Sequence, residues 1–241
     1  MRVLQFANCV KTYAALNRQH ATAVPLADRA RYFFPWVSSL KEGRSPVRDQ
    51  TLWVVFKARS FIGARLKPGM DVFEYGMGGS TLYFLRKGCT VYSVEHHPQW
   101  FREVAGEIAR RGYPGWHGFL READKEVWGG AAPSARCAYR SEFGEYQGRT
   151  FRDYVTVIDE FAEGSFDVVC IDGRARDSCF AHAYEKLKPE GLLILDNSER
   201  RRYRLVHETL RELSWAEHRF FGPGPYVTHE FWETAVWTRP R

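Results

Sequence analysis

Asp71-Val72-Phe73-Glu74-Tyr75-Gly76-Met77-Gly78-Gly79-Ser80-Thr81 is the stretch that decides the fold. Val72–Tyr75 reads as a short apolar strand, and Ser80–Arg86 opens a helix. Three glycines lie at the turn between them. A turn without Cβ atoms lets the backbone approach a bound ligand, and a following helix start offers free N–H groups. Glu74 sits two places before the first glycine. Glu95 closes the next apolar run, 19 residues after Gly76. The pattern reads as the floor of a nucleoside-cofactor site.

Outward from this turn, strand and helix alternate. Thr90–Glu95 reads as a second strand and Gln99–Arg111 as a helix with Phe101, Val104 and Ile108 inward. Trp116–Leu120 reads as a third strand. Residues 121–150, rich in Gly, Ala, Ser, Arg and Tyr, break the rhythm and read as an insertion near the substrate site. Phe151–Phe161 has a helical pattern. Phe166–Ile171 is a continuous apolar run of the kind found in sheets covered on both faces. Phe180–Leu187 reads as a helix stopped by Lys188-Pro189-Glu190-Gly191, and Leu192–Leu195 as another buried strand. Tyr203–Leu213 reads as a helix; His218–Phe221 and Glu233–Thr238 read as a closing hairpin. The expected fold is α/β: a Rossmann-like, doubly wound, mostly parallel seven-stranded sheet with a C-terminal antiparallel hairpin. Residues 1–48 are expected to form an N-terminal helical extension, with patches at Val10–Leu16 and Leu26–Phe34. Residues 49–241 would form the main domain, beginning with one helix from an Asp49 N-cap to Leu66.

The 241 residues include 44% hydrophobic and 27% charged side chains, an ordinary globular balance. The net charge of +6 favours anionic partners weakly and does not argue for nucleic acid. Five cysteines with no CxxC exclude a disulfide framework or zinc site as the organising feature, and point to reduced thiols and a cytoplasmic protein. No apolar run is long enough to suggest a membrane span. A homo-oligomer is compatible with all of this.

Ligands of such sheets bind at the carboxyl ends of the strands. Polar residues cluster there in five places: Glu74–Thr81, Glu95–His97, Glu122–Asp124, Asp172–Arg176 and Asp196–Arg200. A dinucleotide fingerprint needs a third glycine where Thr81 stands, and Glu74 would face phosphates unfavourably. Glu74-Tyr75-Gly76-Met77-Gly78-Gly79-Ser80 instead resembles the first motif of class I S-adenosylmethionine-dependent methyltransferases, with Ser80 replacing the last glycine. The resemblance runs from about Asp71 to Thr238. It implies S-adenosyl-L-methionine as cofactor, with Glu74, Gly76, Met77, Gly78, Gly79, Ser80 and Thr81 around its amino-acid end. It places Glu95 on the ribose hydroxyls, which a two-oxygen carboxylate can hold together. His96 or His97, which follow it, could flank the adenine.

Phe166-Asp167-Val168-Val169-Cys170-Ile171-Asp172-Gly173 resembles the fourth-strand motif of the same family, so Asp172 should face the transferable methyl group. Lys188 to Asn197 resembles the fifth-strand segment. In the cation-dependent O-methyltransferase branch, the positions of Asp172, Asp196 and Asn197 hold a divalent metal such as Mg²⁺. Read from the residues alone, Asp196-Asn197-Ser198 is equally suited to a turn and helix cap. Without metal, Asp172 would act as general base or anchor. Arg174 and Arg176 could clamp an anionic acceptor, or pair with Asp172, Asp177 or Glu199. Arg200 heads a basic run that could rim the same site. Aromatic residues Trp128, Tyr139, Phe143, Tyr146, Tyr154, Tyr226 and Trp232 could wall a sugar or ring.

The resemblance thus implies a methyltransferase acting on a hydroxyl of a small, anionic acceptor such as a sugar, glycan precursor or phenol. Asp172 and Arg174 would be catalytic; Arg174, Arg176 and Arg200 would meet substrate. The alternatives are a non-catalytic Rossmann-like binding protein and, less favoured by Glu74, an NAD-dependent oxidoreductase.

Overall fold

A computed structural model describes residues 3–124, 138–141 and 144–241. Seven strands form one sheet in the order β3-β2-β1-β4-β5-β7-β6. They are β1 (Asp71–Tyr75), β2 (Thr90–Glu95), β3 (Trp116–Leu120), β4 (Phe166–Ile171), β5 (Leu187–Asp196), β6 (Ala216–Gly222) and β7 (Trp232–Thr238). The first five run parallel; β7 runs antiparallel to both β5 and β6. The expected seven-stranded, mostly parallel sheet with its closing hairpin is observed.

Alternation along the central strands explains why both faces are covered. On β1, Phe73 and Tyr75 point to one layer and Val72 to the other. On β4, Val169 and Ile171 oppose Val168 and Cys170; on β5, Leu193 and Leu195 oppose Leu192 and Ile194. The first layer carries α7 (Arg152–Thr156), α8 (Arg176–Ala183) and α9 (Arg204–Glu212). The second carries α4 (Phe56–Gly63), α5 (Gly79–Arg86) and α6 (Pro98–Arg111). Burial on both sides needs near-continuous apolar strands, as the sequence shows.

Upstream, α1 (Val3–Gln19) and α2 (Leu26–Ser39) build a third cluster around Tyr13, Leu16, Tyr32 and Trp36. Phe56 and Phe231 belong to this cluster, and Trp36 Nε1 donates to Val227 O at 2.7 Å. These helices therefore pack against the segment leading into β7.

Three expected boundaries move. The single helix from Asp49 is two: α3 (Pro46–Asp49), capped by Ser45 Oγ on Arg48 N at 3.2 Å, and α4. Gln50 takes a left-handed φ of 48° and ends α3, leaving Thr51–Val55 to cross towards the sheet. Lys188–Gly191 does not stop a helix. It lies inside β5, where the register with β4 shifts and Glu190 has φ 63°. The helix expected over Phe180–Leu187 starts earlier, at Arg176, and ends in a 3-10 turn at Tyr184–Lys186.

Of the expected insertion, Asp124 bridges to Thr150, with Asp124 N donating to Thr150 O at 2.8 Å. Trp128 and Phe143 lie outside the described residues. No helix among the described residues is long and apolar enough to cross a membrane.

Candidate active site

The carboxyl ends of β1, β2, β4 and β5 open on one cleft of about 700 Å³. Its walls include the turn from Gly76 to Ser80, Glu95 and His96, Asp172 to Arg174, and Asp196, Asn197 and Arg200. Residues from four separated stretches of sequence thus meet at one opening.

The glycine turn is shaped by close approach. Gly76 has φ 89°, and a Cβ there would lie 3.0 Å from Gly173 Cα. A Cβ on Gly79 would lie 2.4 Å from Pro46 O. Gly173 faces the turn across the β1–β4 seam, and a Cβ on it would lie 1.9 Å from the hydroxyl of fully buried Tyr154. Gly173→Ala should therefore force the Tyr154 ring or the seam apart. Overpacking of this kind costs about 2 kcal/mol, or roughly 4–8 °C in a chain of this size, readable by thermal denaturation. An unchanged melting temperature would show that the seam has slack.

Glu74 and Thr81 are fully buried and do not line the cleft. The Glu74 carboxylate accepts from Ser80 Oγ and Ser93 Oγ, each at 2.7 Å, and from Thr81 Oγ1. Thr81 Oγ1 also accepts from Gly78 N at 2.9 Å. Glu74 therefore braces the turn from behind through hydroxyls. The expected direct contact between Glu74 and a cofactor ammonium is not made by this arrangement. Burial lifts the Glu74 pKa to about 7, against the pull of the three hydroxyls.

Glu95 is buried at the end of β2 but reaches the cleft. Its Oε1 accepts from His96 N and His97 N, both at 2.8 Å, and Oε2 accepts from Met77 N at 3.2 Å. His96 Nδ1 lies 2.8 Å from Oε1, and His96 Nε2 lies 3.0 Å from Tyr146 OH. Burial opposes the charge on Glu95, but His96 and the amides outweigh it and hold its pKa below the ordinary value. This is a fixed carboxylate presented at a wall.

Asp172 also lines the cleft, with its side chain about one-third exposed. Its Oδ1 accepts from Arg176 Nη2 at 2.8 Å. Burial raises its pKa, opposed by Arg176, Arg174 and Arg200. Asp196 is deeper. Its Oδ1 accepts from Trp232 Nε1 at 2.9 Å and Thr234 Oγ1 at 2.5 Å, and burial with nearby Asp172 raises its pKa to about 7.

Two expectations fail on one side chain. Arg176 does not line the cleft; it turns inward and is only 12% exposed. Its Nη1 donates to Asp196 O at 2.5 Å and Asn197 Oδ1 at 3.4 Å, and its Nη2 to Asp172 O at 2.9 Å and Asp172 Oδ1. An acceptor clamp made by Arg176 is thereby excluded in this conformation, and the pairing with Asp172 is what occurs. The cause is Ala175, whose left-handed φ of 47° separates the directions of Arg174 and Arg176. The same bonds engage Asp172 Oδ1 and Asn197 Oδ1, while Asp196 Oδ1 is engaged from behind; Oδ2 of Asp172 and of Asp196 has no hydrogen bond among the described residues. Asp172, Asp196 and Asn197 therefore fit a divalent cation poorly, with two unengaged carboxylate oxygens against a need of about six, and no group of three His, Cys, Asp or Glu suited to a metal occurs among the described residues. Asp196-Asn197-Ser198 forms a turn, with Asn197 at φ 54°, and caps no helix: Ser198 Oγ donates to Glu233 Oε1 at 2.8 Å.

Arg174 and Arg200 do line the cleft. Arg174 lies 5.7 Å from the centre of the Tyr146 ring. His97, from the expected strand-end cluster, lines it too, and so do Trp53, Trp100, His229 and Glu230, which carry no motif. Trp100 Nε1 donates to Met77 O at 2.7 Å, and its ring edge lies 3.7 Å from the Cβ position of Gly78. Its place five residues after Glu95, in the first turn of the next helix, is the only signal the sequence offers for it. Trp232 also lines the cleft, whereas Tyr139, Tyr154 and Tyr226 do not.

No family model matches the chain, and no curated protein matches its sequence. Solved structures do match its shape. An rRNA methylase from Streptococcus thermophilus is 11% identical, with a TM-score of 0.52 over 77% of this chain and 95% of that one. A methyltransferase from Geobacter sulfurreducens is 12% identical, with a TM-score of 0.51 over 91% and 99%. A SAM-dependent O-methyltransferase from Thermotoga maritima is 15% identical, with a TM-score of 0.50 over 82% and 72%. With the strand order and the cleft at the strand ends, these likenesses show that the chain has the Rossmann-like fold of S-adenosylmethionine-dependent methyltransferases.

Proposed function

We propose that the protein is an S-adenosylmethionine-dependent methyltransferase acting on a hydroxyl of a small, anionic acceptor. The observation that carries this reading is that the turn at Gly76–Ser80, Glu95 and Asp172 line one cleft at the strand ends. The cradle suits the cofactor: Cβ atoms at Gly76 and Gly79 would disturb it, and Glu95 is a charged acceptor suited to a cis-diol. S-adenosylmethionine, when bound, supplies a methyl group on a sulfonium.

The chain's own residues would do the rest. Glu95 holds the ribose hydroxyls, and Trp100 keeps the turn in place through Met77 O. Asp172 Oδ1 is fixed by Arg176, leaving Oδ2 without a hydrogen bond among the described residues. Asp172 Oδ2 would take the acceptor's hydroxyl proton, and the cofactor, when bound, would supply the methyl group and leave as the thioether. Arg174 and Arg200 at the rim favour a carboxylate or phosphate on the acceptor, and Trp53 and Tyr146 offer flat faces to a sugar or phenol. Residues 1–48 would form an extension beside the main domain at 49–241.

Calorimetry against S-adenosylmethionine, S-adenosylhomocysteine and NAD tests the reading. The first two should bind at micromolar concentration and NAD should not. Binding of NAD alone would replace the methyltransferase with the oxidoreductase, and binding of none would remove the cofactor site.

A further inference from the structure

We propose that Arg176 is the resident cation of the acceptor side of the cleft, standing where the resemblance calls for a divalent metal. This deepens the methyltransferase reading and rests on it for the chemistry served; its structural core does not depend on that reading.

The guanidinium has five N–H groups in a fixed planar fork. All five find oxygen. Nε donates to Gly173 O at 3.1 Å, Nη1 to Asp196 O and Asn197 Oδ1, and Nη2 to Asp172 O and Asp172 Oδ1. The acceptors come from the ends of β4 and β5 and the residues just after them. A single positive group thus ties together the two strand ends whose polar residues would otherwise make a metal site.

That arrangement leaves a divalent cation too few oxygens. Mg²⁺ needs about six oxygens at about 2.0–2.1 Å and Ca²⁺ six to eight at about 2.3–2.6 Å. Asp172 Oδ1 and Asn197 Oδ1 already receive Arg176, and Asp196 Oδ1 receives Trp232 and Thr234, so of these three side chains only Oδ2 of Asp172 and of Asp196 has no hydrogen bond among the described residues. A metal placed among them would also sit against a guanidinium of like charge in a mostly buried place, where screening is weak. Replacing the metal by an arginine keeps a positive charge beside Asp172 but supplies no Lewis acid for the acceptor. It leaves Asp172 as the group that must take the hydroxyl proton. Arg176 is therefore a positioning residue: it holds Asp172 at the wall without reaching the cleft.

The sequence contains the device in compact form. Asp172 and Arg176 are four apart, and Ala175 at φ 47° aims Arg176 inward as the first residue of α8. Arg174, on the other side of that turn, stays at the rim.

Two measurements on the full chain test this, and neither needs the acceptor or the cofactor. Electron paramagnetic resonance of submillimolar Mn²⁺ with equimolar wild-type protein should show the signal of free Mn²⁺ undiminished. Loss of that signal, restored by Asp172→Asn, would overturn the proposal. The second uses Arg176→Ala, which should lose several degrees of thermal stability. Millimolar guanidinium chloride should recover part of that loss, whereas urea, its neutral isostere, should not. Equal recovery by both, or by neither, would make Arg176 a filler of space or a tether, and would overturn its role as cation. If Arg176→Ala fails to fold, the wild-type Mn²⁺ measurement still decides. Wild-type protein that takes no Mn²⁺ yet fails to bind S-adenosylmethionine would sink the methyltransferase reading while leaving the resident cation standing.

Discussion

Replacing Glu95 by alanine is expected to weaken S-adenosylmethionine binding by about 100-fold, with a smaller loss of stability. Hydrogen bonds to a charged partner contribute about 1.5–3 kcal/mol each, and about 2.7 kcal/mol corresponds to 100-fold. The substitution removes the proposed ribose acceptor. It also strips a partner from the amides of Met77, His96 and His97, so the glycine turn loses its tie to β2. Glu95→Gln separates the two effects. The amide keeps an acceptor oxygen for the backbone but presents an NH2 group elsewhere, so the turn should survive better than the affinity. Calorimetry with both variants, alongside thermal melting, reads the two losses independently. Affinity within a few-fold of wild type in Glu95→Ala would remove the ribose assignment and with it the strongest support for the cofactor.

The fold was legible where one physical pattern dominated. Phe166–Ile171 and Thr90–Glu95 are apolar runs of strand length, and the observed β4 and β2 match them residue for residue. Patterns fail where one residue's backbone angle changes the outcome. Gln50, at φ 48°, divides the expected helix, although glutamine gives no warning of a left-handed turn. Lys188-Pro189-Glu190-Gly191 looks like a helix stop, yet β5 absorbs it as an irregularity because Leu187 already pairs with Phe166. Pairing between distant strands overrides local turn chemistry there.

The candidate site divides along the same line. That polar residues would meet at the strand ends followed from topology, and Glu95, Asp172, Arg174, Asp196, Asn197 and Arg200 do share the cleft. The direction of each side chain did not follow. Arg174 and Arg176 look equivalent in sequence, but Ala175 sends one to the rim and the other inward. Trp232 and Thr234 hold Asp196 across the β5–β7 pairing, nearly 40 residues away in the chain, which no local motif reveals. Glu74 was read as a partner for a cofactor ammonium and as a reason to disfavour phosphates. Enclosed by Ser80, Thr81 and Ser93, it acts on the ligand only through the turn it braces.

That enclosure leads to the largest expected effect on stability, a fall in folding free energy as pH rises from 5 to 8. Glu74 has its pKa raised from 4.5 to about 7, first by burial, and Asp196 from 3.8 to about 7, by burial and by Asp172. In the interval between the unfolded and folded values the native chain holds protons that the unfolded chain has released. Stability must then decrease with rising pH, by about 1.4 kcal/mol per unit for each such group. The neutral forms' contribution is complete below the unfolded values and is lost as pH climbs through about 7. For Glu74 alone the loss is of the order of 3 kcal/mol, and Asp196 adds a comparable amount. Urea denaturation at pH 5 and pH 8 should show the difference directly. Glu74→Gln, neutral at both, should flatten the profile by roughly half if its amide keeps the hydroxyls of Ser80 and Ser93 engaged. A profile that rises between pH 5 and 8, or one that Glu74→Gln leaves unchanged, would mean that the three hydroxyls stabilise the carboxylate more than burial penalises it. Glu74 would then be a permanent charge behind the turn, acting electrostatically on a bound cation.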